Sequence, residues 1–335
     1  TVSASGSTTA TGITVGGNLA ASNLSNATNG TNIAGLSTTG TAVSMGASTL
    51  TNGAGNISIS GFESAAGAAT SITTTGAIAQ NGNGGSITFT SNNKISQTGT
   101  VTVAANTSGT ASSITYDTTT GTSASTITSG ALTLTGGVSA SNTAINYIEK
   151  TAGAAITAGA ISVPGYINLD MTNGGVVAAS GSTTATGITV GGNLLASNLA
   201  GATNGINIAG LSTTGTAVTM GAYTLSNGAG NINISGFESA AGGATSITTT
   251  GAITQNANGG SITFTANNVI NQTGAVTVAA NTSSAASSVT YDTTRGNKSS
   301  AITAGALTVT PGSNQAVNYI EKAAGGNITT SAVSM

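Results

Sequence analysis

The sequence predicts an all-β fold, a right-handed parallel β-helix (β-solenoid) built from stacked short strands with Gly and Asn turns. Three observations predict this fold. The chain contains a long, near-identical duplication, which is the signature of a repeat array. Short segments alternate apolar and hydroxyl residues, as strands with one buried face do. Turns rich in Gly and Asn separate these segments, and these residues supply the positive φ that tight corners require.

The duplication gives the chain its organisation. The segment Ala4–Leu19 recurs as Ala179–Leu194, 175 positions further along the chain. After a deletion of three residues, Asn146–Lys150 recurs as Asn318–Lys322, 172 positions further along. The two copies are therefore expected to share one architecture.

We expect two long repeats that form one continuous solenoid. The first comprises residues 1–175 and the second comprises residues 176–335. Because both ends of the chain interrupt the repeated pattern, we expect the chain to belong to a longer array.

The predicted strands are short and alternate in polarity. A period of two places Ile, Val or Leu on one face of a strand and Thr, Ser or Asn on the other. Seven such segments occur in the first copy: Ile57–Ile59, Ile87–Phe89, Val101–Val103, Ile114–Tyr116, Leu132–Leu134, Ile161–Val163 and Ile167–Leu169. The two prolines, Pro164 and Pro311, are expected at a strand end and in a corner, because proline removes a backbone donor. Many Asn side chains are expected to stack from coil to coil as hydrogen-bonded ladders.

The spacing of these strands is too long for hairpins and slightly uneven. The spacing is measured between successive apolar residues of the predicted strands, namely Ile57, Ile72, Ile87, Val101 and Ile114. A solenoid coil contributes two or three short strands, and known repeat periods suggest about 20 to 30 residues per coil. An array of immunoglobulin-like sandwiches is the alternative, but such modules span about 100 residues and commonly bury a tryptophan. The chain contains no Trp.

The low charge of the chain excludes several partners. Charged residues make up 4% of the sequence, and the formal net charge is −2. Five basic residues are too few to attract nucleic acid or anionic lipid. No apolar run approaches the ~20 residues of a membrane span. We therefore expect no nucleic-acid partner and no membrane insertion.

The residues of common catalytic sites are missing. The chain has no His and no Cys, which excludes Ser–His–Asp triads, cysteine nucleophiles and standard zinc sites. Two carboxylates could still cleave a glycoside if they lay within about 5 to 10 Å of each other. The acidic residues of the first copy are, however, far apart in sequence: Glu63, Asp117, Glu149 and Asp170. We therefore predict no enzyme activity, no catalytic residues and no cofactor.

Asp117 and its counterpart Asp292 are the candidates for structural calcium. The Gly-Gly-x-Gly-x-Asp nonapeptide of calcium-loaded β-rolls is absent, and Gly82–Ile87 has its glycines without its aspartate. A carboxylate in a solvated turn is the favoured interpretation of both residues, so no metal site is predicted.

The repeated motif Tyr-Ile-Glu-Lys is the candidate for a lateral contact between fibres. Its members are Tyr147, Glu149 and Lys150 in the first copy and Tyr319, Glu321 and Lys322 in the second. We favour the alternative of a loop with a local ion pair, which contributes little at a surface. The repeated segments Gly61–Glu63 and Gly236–Glu238 are interpreted as corners with a packed Phe.

One part of the sequence resembles a known family. The segment Gly76–Thr90 continues through Ile95–Val103, and both reappear within Gly251–Val278. They are similar to the filamentous-haemagglutinin-like large exoproteins and autotransporter-type repeat adhesins of Gram-negative bacteria. The resemblance implies a right-handed β-helix that acts as an adhesin, biofilm-matrix protein or surface fibre. The Asn-Pro-Asn-Gly signature of that family's secretion domain does not occur, since Ala27–Gly30 and Ala202–Gly205 lack the proline.

The leading hypothesis is an extracellular structural protein of the bacterial cell surface. It would be a segment of a long β-solenoid fibre that serves as an adhesin stalk, biofilm-matrix filament or sheath. Its expected partners are copies of itself or neighbouring repeats of a longer chain, and host or cell-surface glycans. The absence of cysteine fits export through a narrow pore as well as it fits a reducing compartment.

Two other functions stay open. An ice-binding solenoid would align threonines such as Thr73–Thr75 on one face, and the uneven spacing of the predicted strands argues against that alignment. A polysaccharide-cleaving β-helix would gather several acids on one face, which the spacing of the acids does not favour.

Overall fold

The chain forms a β-solenoid in the computed structural model. The structure describes residues 11–21, 29–53, 55–63, 70–81, 85–104, 112–119, 126–135, 143–148, 155–163, 166–170, 187–196, 204–213, 215–228, 230–238, 245–256, 260–280, 287–295, 300–310, 315–320 and 327–335. Every regular element in these ranges is a strand, numbered β1 to β35, and the strands pair in parallel. The predicted all-β, parallel solenoid is therefore confirmed. Pro164 and Pro311 lie outside the described residues.

The strands form three parallel sheets, and the chain passes from sheet 1 to sheet 2 to sheet 3 before it returns to sheet 1. Sheet 1 contains β1 (Ile13–Val15), β4 (Val43–Met45), β7 (Thr70–Thr74), β10 (Lys94–Gln97), β13 (Thr126–Ser129), β16 (Ala155–Ala158), β19 (Ile188–Val190), β22 (Val218–Met220), β25 (Thr245–Thr249), β28 (Val269–Gln272), β31 (Ile302–Ala304) and β34 (Ile328–Thr330). Sheet 2 contains β2 (Leu19–Ala21), β5 (Leu50–Asn52), β8 (Ile78–Gln80), β11 (Val101–Val103), β14 (Leu132–Leu134), β17 (Ile161–Val163), β20 (Leu194–Ala196), β23 (Leu225–Asn227), β26 (Ile253–Gln255), β29 (Val276–Val278), β32 (Leu307–Val309) and β35 (Val333–Ser334). Sheet 3 contains β3 (Asn29–Ser37), β6 (Asn56–Glu63), β9 (Ile87–Ser91), β12 (Ser112–Asp117), β15 (Thr143–Ile148), β18 (Tyr166–Asp170), β21 (Asn204–Ser212), β24 (Asn231–Glu238), β27 (Ile262–Ala266), β30 (Ser287–Asp292) and β33 (Gln315–Ile320).

Paired residues show where each coil begins and ends. In sheet 1, Ile72 lies beside Ile95 and Ile95 lies beside Ile127, so each of these two intervals along the chain is one coil. The coils differ in length, and both are close to the expected ~20 to 30 residues. The shorter intervals seen in the sequence, from Ile57 to Ile72 and from Ile72 to Ile87, do not correspond to coils. Ile57 and Ile87 belong to sheet 3, whereas Ile72 belongs to sheet 1.

The long repeat contains a whole number of coils. Six steps along sheet 1 lead from Ile13 in β1 to Ile188 in β19, 175 positions along the chain. Where the two copies meet, Ile156 lies beside Ile188 and Ile161 lies beside Leu194. The sheets therefore pass from the first copy into the second without a change of register.

The three-residue deletion of the second copy falls between two strands. In the first copy β14 ends at Leu134 and β15 begins at Thr143, whereas in the second β32 ends at Val309 and β33 begins at Gln315. The pairing of β33 with β30 keeps an unbroken register. A coil can thus change its length in a corner without losing a ladder hydrogen bond.

Apolar residues stack in rows inside the coils. In sheet 3, Ile57, Ile87 and Ile114 lie side by side and are fully buried. Such rows merge into one core cluster that extends from Ile33 to Val309. Burial of each aliphatic side chain stabilises the fold by about 1.5–3 kcal/mol. A single coil cannot bury its own row, so each coil depends on its neighbours.

Aromatic rings stack along the same axis. The ring centroids of Phe89 and Tyr116 are 4.6 Å apart, and the ring planes differ by 2°. Those of Phe264 and Tyr291 are 4.8 Å apart with planes that differ by 5°. Isolated aromatic pairs prefer offset or edge-to-face arrangements. The face-to-face geometry follows from the spacing of paired strands, about 4.7–4.9 Å, which leaves no room for tilted rings.

Amide side chains occupy the interior at the ends of some strands. Asn52 and Gln80 lie at the same level of sheet 2, are fully buried, and are joined by a hydrogen bond of 2.7 Å from Asn52 Nδ2 to Gln80 Oε1. Asn227 and Gln255 repeat this contact at 2.8 Å. Inside the coil, the predicted Asn ladders are thus mixed Asn–Gln pairs. Loss of one partner would leave a buried amide unsatisfied, at a cost of about 1–3 kcal/mol.

Glycines form a column at the corner between sheets 1 and 2. A Cβ on Gly99 would overlap the carbonyl oxygen of Gly76 in the preceding coil, and a Cβ on Gly130 would overlap that of Gly99. Gly274 and Gly251 repeat the contact in the second copy. The backbones of adjacent coils approach so closely here that no side chain fits between them.

We predict that Gly99→Ala destabilises the solenoid by about 1–3 kcal/mol, because the new methyl group forces the stacked corners apart. Gly46→Ala is the matched control. Gly46 lies at the same kind of corner, but apart from Gly46 itself and its two chain neighbours no described atom lies within 4 Å of the position that the new methyl group would occupy. Urea and thermal unfolding followed by circular dichroism would measure both variants. Equal stability of the two variants would contradict the role of the glycine column.

Candidate functional site

The predicted lateral contact patch lies mostly beyond the part of the chain that the structure describes. Tyr147 is in β15, where only the backbone is described, and Tyr319 is in β33. The other four members of the patch lie outside the described residues: Glu149, Lys150, Glu321 and Lys322. A lateral contact at these positions stays a prediction.

The ring of Tyr319 packs inside the coil. It stacks on Tyr291 with a centroid distance of 5.1 Å and a plane difference of 7°, and so extends the pair formed by Phe264 and Tyr291. It is partly buried against the core cluster. Tyr319 therefore contributes packing to the interior of its coil.

The hydroxyl group of Tyr291 is held in the core. It donates a hydrogen bond of 2.7 Å to Oε1 of Gln272, which also accepts the backbone N–H of Gly305 at 3.2 Å. Burial raises the pKa of Tyr291 well above its usual range, and the neighbouring Tyr319 raises it further. Burial also raises the pKa of Tyr319. The folded state therefore favours neutral phenol groups.

The acids on sheet 3 do not form a cluster. Asp117 lies beside Ile148, and Ile148 lies beside Asp170, so two ladder steps of roughly 10 Å in total separate the aspartates. Oδ1 of Asp117 accepts hydrogen bonds from the backbone N–H and the hydroxyl of Thr119, at 2.8 and 2.6 Å. Among the described residues, no group of three or more His, Cys, Asp or Glu residues could hold a metal ion.

Asp292 repeats the turn of Asp117. Its Oδ1 accepts hydrogen bonds from the backbone N–H and the hydroxyl of Thr294, at 2.8 and 2.6 Å. Both carboxylates thus hold a turn two residues further on, as Asp side chains commonly do. This agrees with the turn interpretation of the two residues.

A column of polar side chains runs along the outside of sheet 1. At this level every strand of the sheet has Thr, Ser or Asn, and we name the set the hydroxyl column. It contains Thr14, Ser44, Thr73, Ser96, Thr128, Thr157, Thr189, Thr219, Thr248, Asn271, Thr303 and Thr329. The uneven spacing in the sequence therefore does not prevent threonines from aligning, because coil length varies in the corners while the strands stay in register.

Sheet 3 has a column of amides where the two copies meet. Asn207 lies beside Asn168 and donates a hydrogen bond of 2.7 Å from Nδ2 to Oδ1 of that residue. Asn233 lies at the same level of the next strand. With Asn231, these side chains line a groove of about 370 Å³. The predicted stacking of Asn side chains is confirmed at the first of these pairs.

A buried acidic corner joins sheets 3 and 1. Glu63, the last residue of β6, is only 7% exposed. Its backbone N–H donates to Oδ1 of Asn92 at 3.0 Å, and Nδ2 of Asn92 donates to its carbonyl oxygen at 2.7 Å. Nδ2 of Asn93 donates to its carboxylate Oε2 at 2.9 Å. One coil is thereby fastened to the next by three hydrogen bonds.

The second copy has the same corner. The backbone N–H of Glu238 donates to Oδ1 of Asn267 at 3.0 Å, and Nδ2 of Asn267 donates to the carbonyl oxygen of Glu238 at 2.6 Å. Nδ2 of Asn268 donates to the carboxylate Oε2 of Glu238 at 3.1 Å. The preceding Phe237 is 5% exposed, whereas Phe62 in the first copy is only partly buried. Both phenylalanines lie in the last residues of strands, β24 and β6, so the interpretation of these segments as corners is wrong. Sequence reasoning missed the asparagines of both corners. The available signal was an Asn-Asn pair that recurs after 175 positions.

Comparison with protein-family models, with curated proteins and with solved structures finds no match. The repeated parallel coils are consistent with a β-helix repeat protein. Within the described ranges, no helix is long and apolar enough to span a membrane.

We predict that the solenoid loses stability as the pH rises above about 10. A tyrosine in the unfolded chain loses its proton near pH 10, whereas Tyr291 keeps its proton in the folded state because its pKa is raised. Over that range the unfolded state binds fewer protons, so the free energy of unfolding falls with increasing pH. Urea unfolding at a series of pH values would measure the slope of the free energy of unfolding against pH. Tyr291→Phe should reduce the slope, and an identical slope in the variant would contradict the assignment.

Proposed function

We propose that the chain is a stiff, non-catalytic segment of an extracellular fibre at the bacterial cell surface. Its sequence resembles the filamentous-haemagglutinin-like exoproteins and autotransporter-type adhesins, and we assign it the same class of role. It would serve as an adhesin stalk, biofilm-matrix filament or sheath. Its partners would be copies of itself, neighbouring repeats of a longer chain, and cell-surface glycans.

The junction between the two copies is the observation that best supports a fibre. Ile156 pairs with Ile188 in sheet 1, and Ile167 pairs with Ile206 in sheet 3, as residues within one copy pair with each other. A further repeat can therefore stack on the last one by the same contacts. Repeats joined in this way extend along one axis.

The rise of each repeat follows from its coils. Six steps of about 4.8 Å give a length of roughly 29 Å for each 175-residue repeat. Strands inside the stack are hydrogen-bonded on both sides, which limits bending and leaves few backbone groups open to proteases. A long, stiff and protease-resistant rod is what a stalk or matrix filament requires.

The outer surface supports the same role. The hydroxyl column of sheet 1 contains no charged residue over its twelve strands, and charged residues make up only 4% of the chain. Two such surfaces can approach each other without strong charge repulsion. Neutral hydroxyl and amide groups also suit hydrogen bonding to glycan hydroxyls.

Ice binding is the second candidate, and the hydroxyl column is the observation that favours it. The column aligns its polar side chains at a spacing of about 4.8 Å, and Asn271 is the one member without a hydroxyl group. It is only one residue wide, because the residues before and after it on strands such as β4 face the core. Thermal hysteresis of the purified chain at micromolar concentration would test this function, and its absence would exclude it.

We predict that gold-labelled antibody against this chain decorates filaments or matrix outside the envelope of producing cells. Electron microscopy of intact and sectioned cells would locate the label, with antibody absorbed on the purified chain as the control. Label confined to the cell interior would contradict the proposed function.

We also predict that length grows with repeat number. Negative-stain images of concatenated chains should show rods that lengthen by about 29 Å for each added 175-residue repeat. Rods of unchanged length and greater width would indicate side-by-side packing of repeats and would contradict the axial fibre.

A further inference from the structure

The buried acidic corner contains two oxygen atoms without a partner. In the first copy these are Oε1 of Glu63 and Oδ1 of Asn93, and neither has a hydrogen bond to any described residue. Glu63 is 7% exposed and Asn93 is 3% exposed. The hydrogen bond of 2.9 Å from Asn93 Nδ2 to Glu63 Oε2 holds the two groups together. The two oxygens therefore belong to one buried cluster.

The second copy contains the same pair of atoms. Oε1 of Glu238 and Oδ1 of Asn268 also lack a partner among the described residues. Glu238 is 7% exposed and Asn268 is 3% exposed. Because the same two atoms are unpaired in both copies, the arrangement is a property of the corner itself.

The orientation of the amide is fixed by its neighbour. Asn93 must direct Nδ2 towards the carboxylate of Glu63, because the opposite orientation would place its oxygen against a carboxylate oxygen. Exchange of the nitrogen and oxygen atoms of Asn93 would therefore not remove the unpaired acceptor. Both unpaired atoms are acceptors, and neither can satisfy the other.

The chemistry of the cluster indicates its ligand. A buried carboxylate is costly unless a positive charge or several donors compensate it. Carboxylate oxygens and amide carbonyl oxygens are both ligands that hard cations such as Ca²⁺ prefer. Unsatisfied buried polar atoms commonly mark the place of an ion or water.

We propose that each acidic corner binds one hard cation. The first site uses Oε1 of Glu63 and Oδ1 of Asn93, and the second uses Oε1 of Glu238 and Oδ1 of Asn268, with water completing the coordination shell. Glu63 and Asn93 come from adjacent coils, so the cation fastens one coil to the next where the chain passes from sheet 3 to sheet 1. Binding to the folded state alone also stabilises that state. The proposal does not depend on the fibre function.

The two sites have different basic residues nearby. Asn93 is followed by Lys94, whereas Asn268 is followed by Val269. In the second copy, Cζ of Arg295 lies 5.7 Å from the ring centroid of Phe237, the residue before Glu238. Because a nearby positive charge disfavours a bound cation, Lys94→Val should strengthen calcium binding at the first site and Arg295→Thr should strengthen it at the second.

Calcium alone is the probe for the experiment. The full chain is dialysed against a chelator and then titrated with CaCl₂ by calorimetry, and bound calcium is counted by elemental analysis. We expect two calcium ions per chain, one after Glu63→Gln, and none after Glu63→Gln combined with Glu238→Gln. The control is Asp117→Asn combined with Asp292→Asn, which removes two carboxylates from turns and should retain both ions.

The melting temperature of the unaltered chain gives a second measurement that does not require a variant to fold. It should rise with added calcium and fall after chelation. An unaltered chain that binds no calcium and melts at the same temperature in both conditions would overturn the proposal, since water or a proton would then satisfy the unpaired oxygens. Retention of both ions by the double glutamine variant would also overturn it.

Discussion

The spacing of the parallel hydrogen-bond ladder is the constraint on which the rest of the molecule depends. Strands about 4.8 Å apart place equivalent residues of successive coils in van der Waals contact. Isoleucine therefore packs on isoleucine, and the rings of Phe89 and Tyr116 lie face to face. Small and β-branched residues fit such a narrow core, which explains why the chain contains few aromatic residues and no Trp.

The corners accommodate differences in coil length and polar groups that the hydrogen-bonded ladders cannot accommodate. Coil length changes there, and polar groups are gathered there. At the corner between sheets 1 and 2, Gly76 and Gly99 let two backbones touch, whereas at the corner between sheets 3 and 1 Asn92 and Asn93 bind the backbone and carboxylate of Glu63. These two corners thus differ in chemistry, and the chemistry of each recurs in both copies because the repeat preserves it.

Local features of the sequence were sufficient to predict seven strands of the first copy. Alternation identifies Ile57–Ile59 and Ile161–Val163 because a strand with one buried face requires only its own residues. The residues that form a column or a corner are those that lie side by side in neighbouring coils. Which residues lie side by side depends on the length of each coil. Since the coil from Ile72 to Ile95 is shorter than the coil from Ile95 to Ile127, no single period aligns them in the sequence. The hydroxyl column and the acidic corner could therefore be recognised only after the register was known.

The whole number of coils in the long repeat has a genetic consequence. Unequal recombination between the two copies would insert or remove an entire 175-residue unit. Because Ile13 and Ile188 occupy the same level of sheet 1, six coils apart, such an event joins matching strand edges and leaves the reading frame and the stacking intact. A chain that gains or loses one such unit therefore keeps the same strand pairing at the new junction.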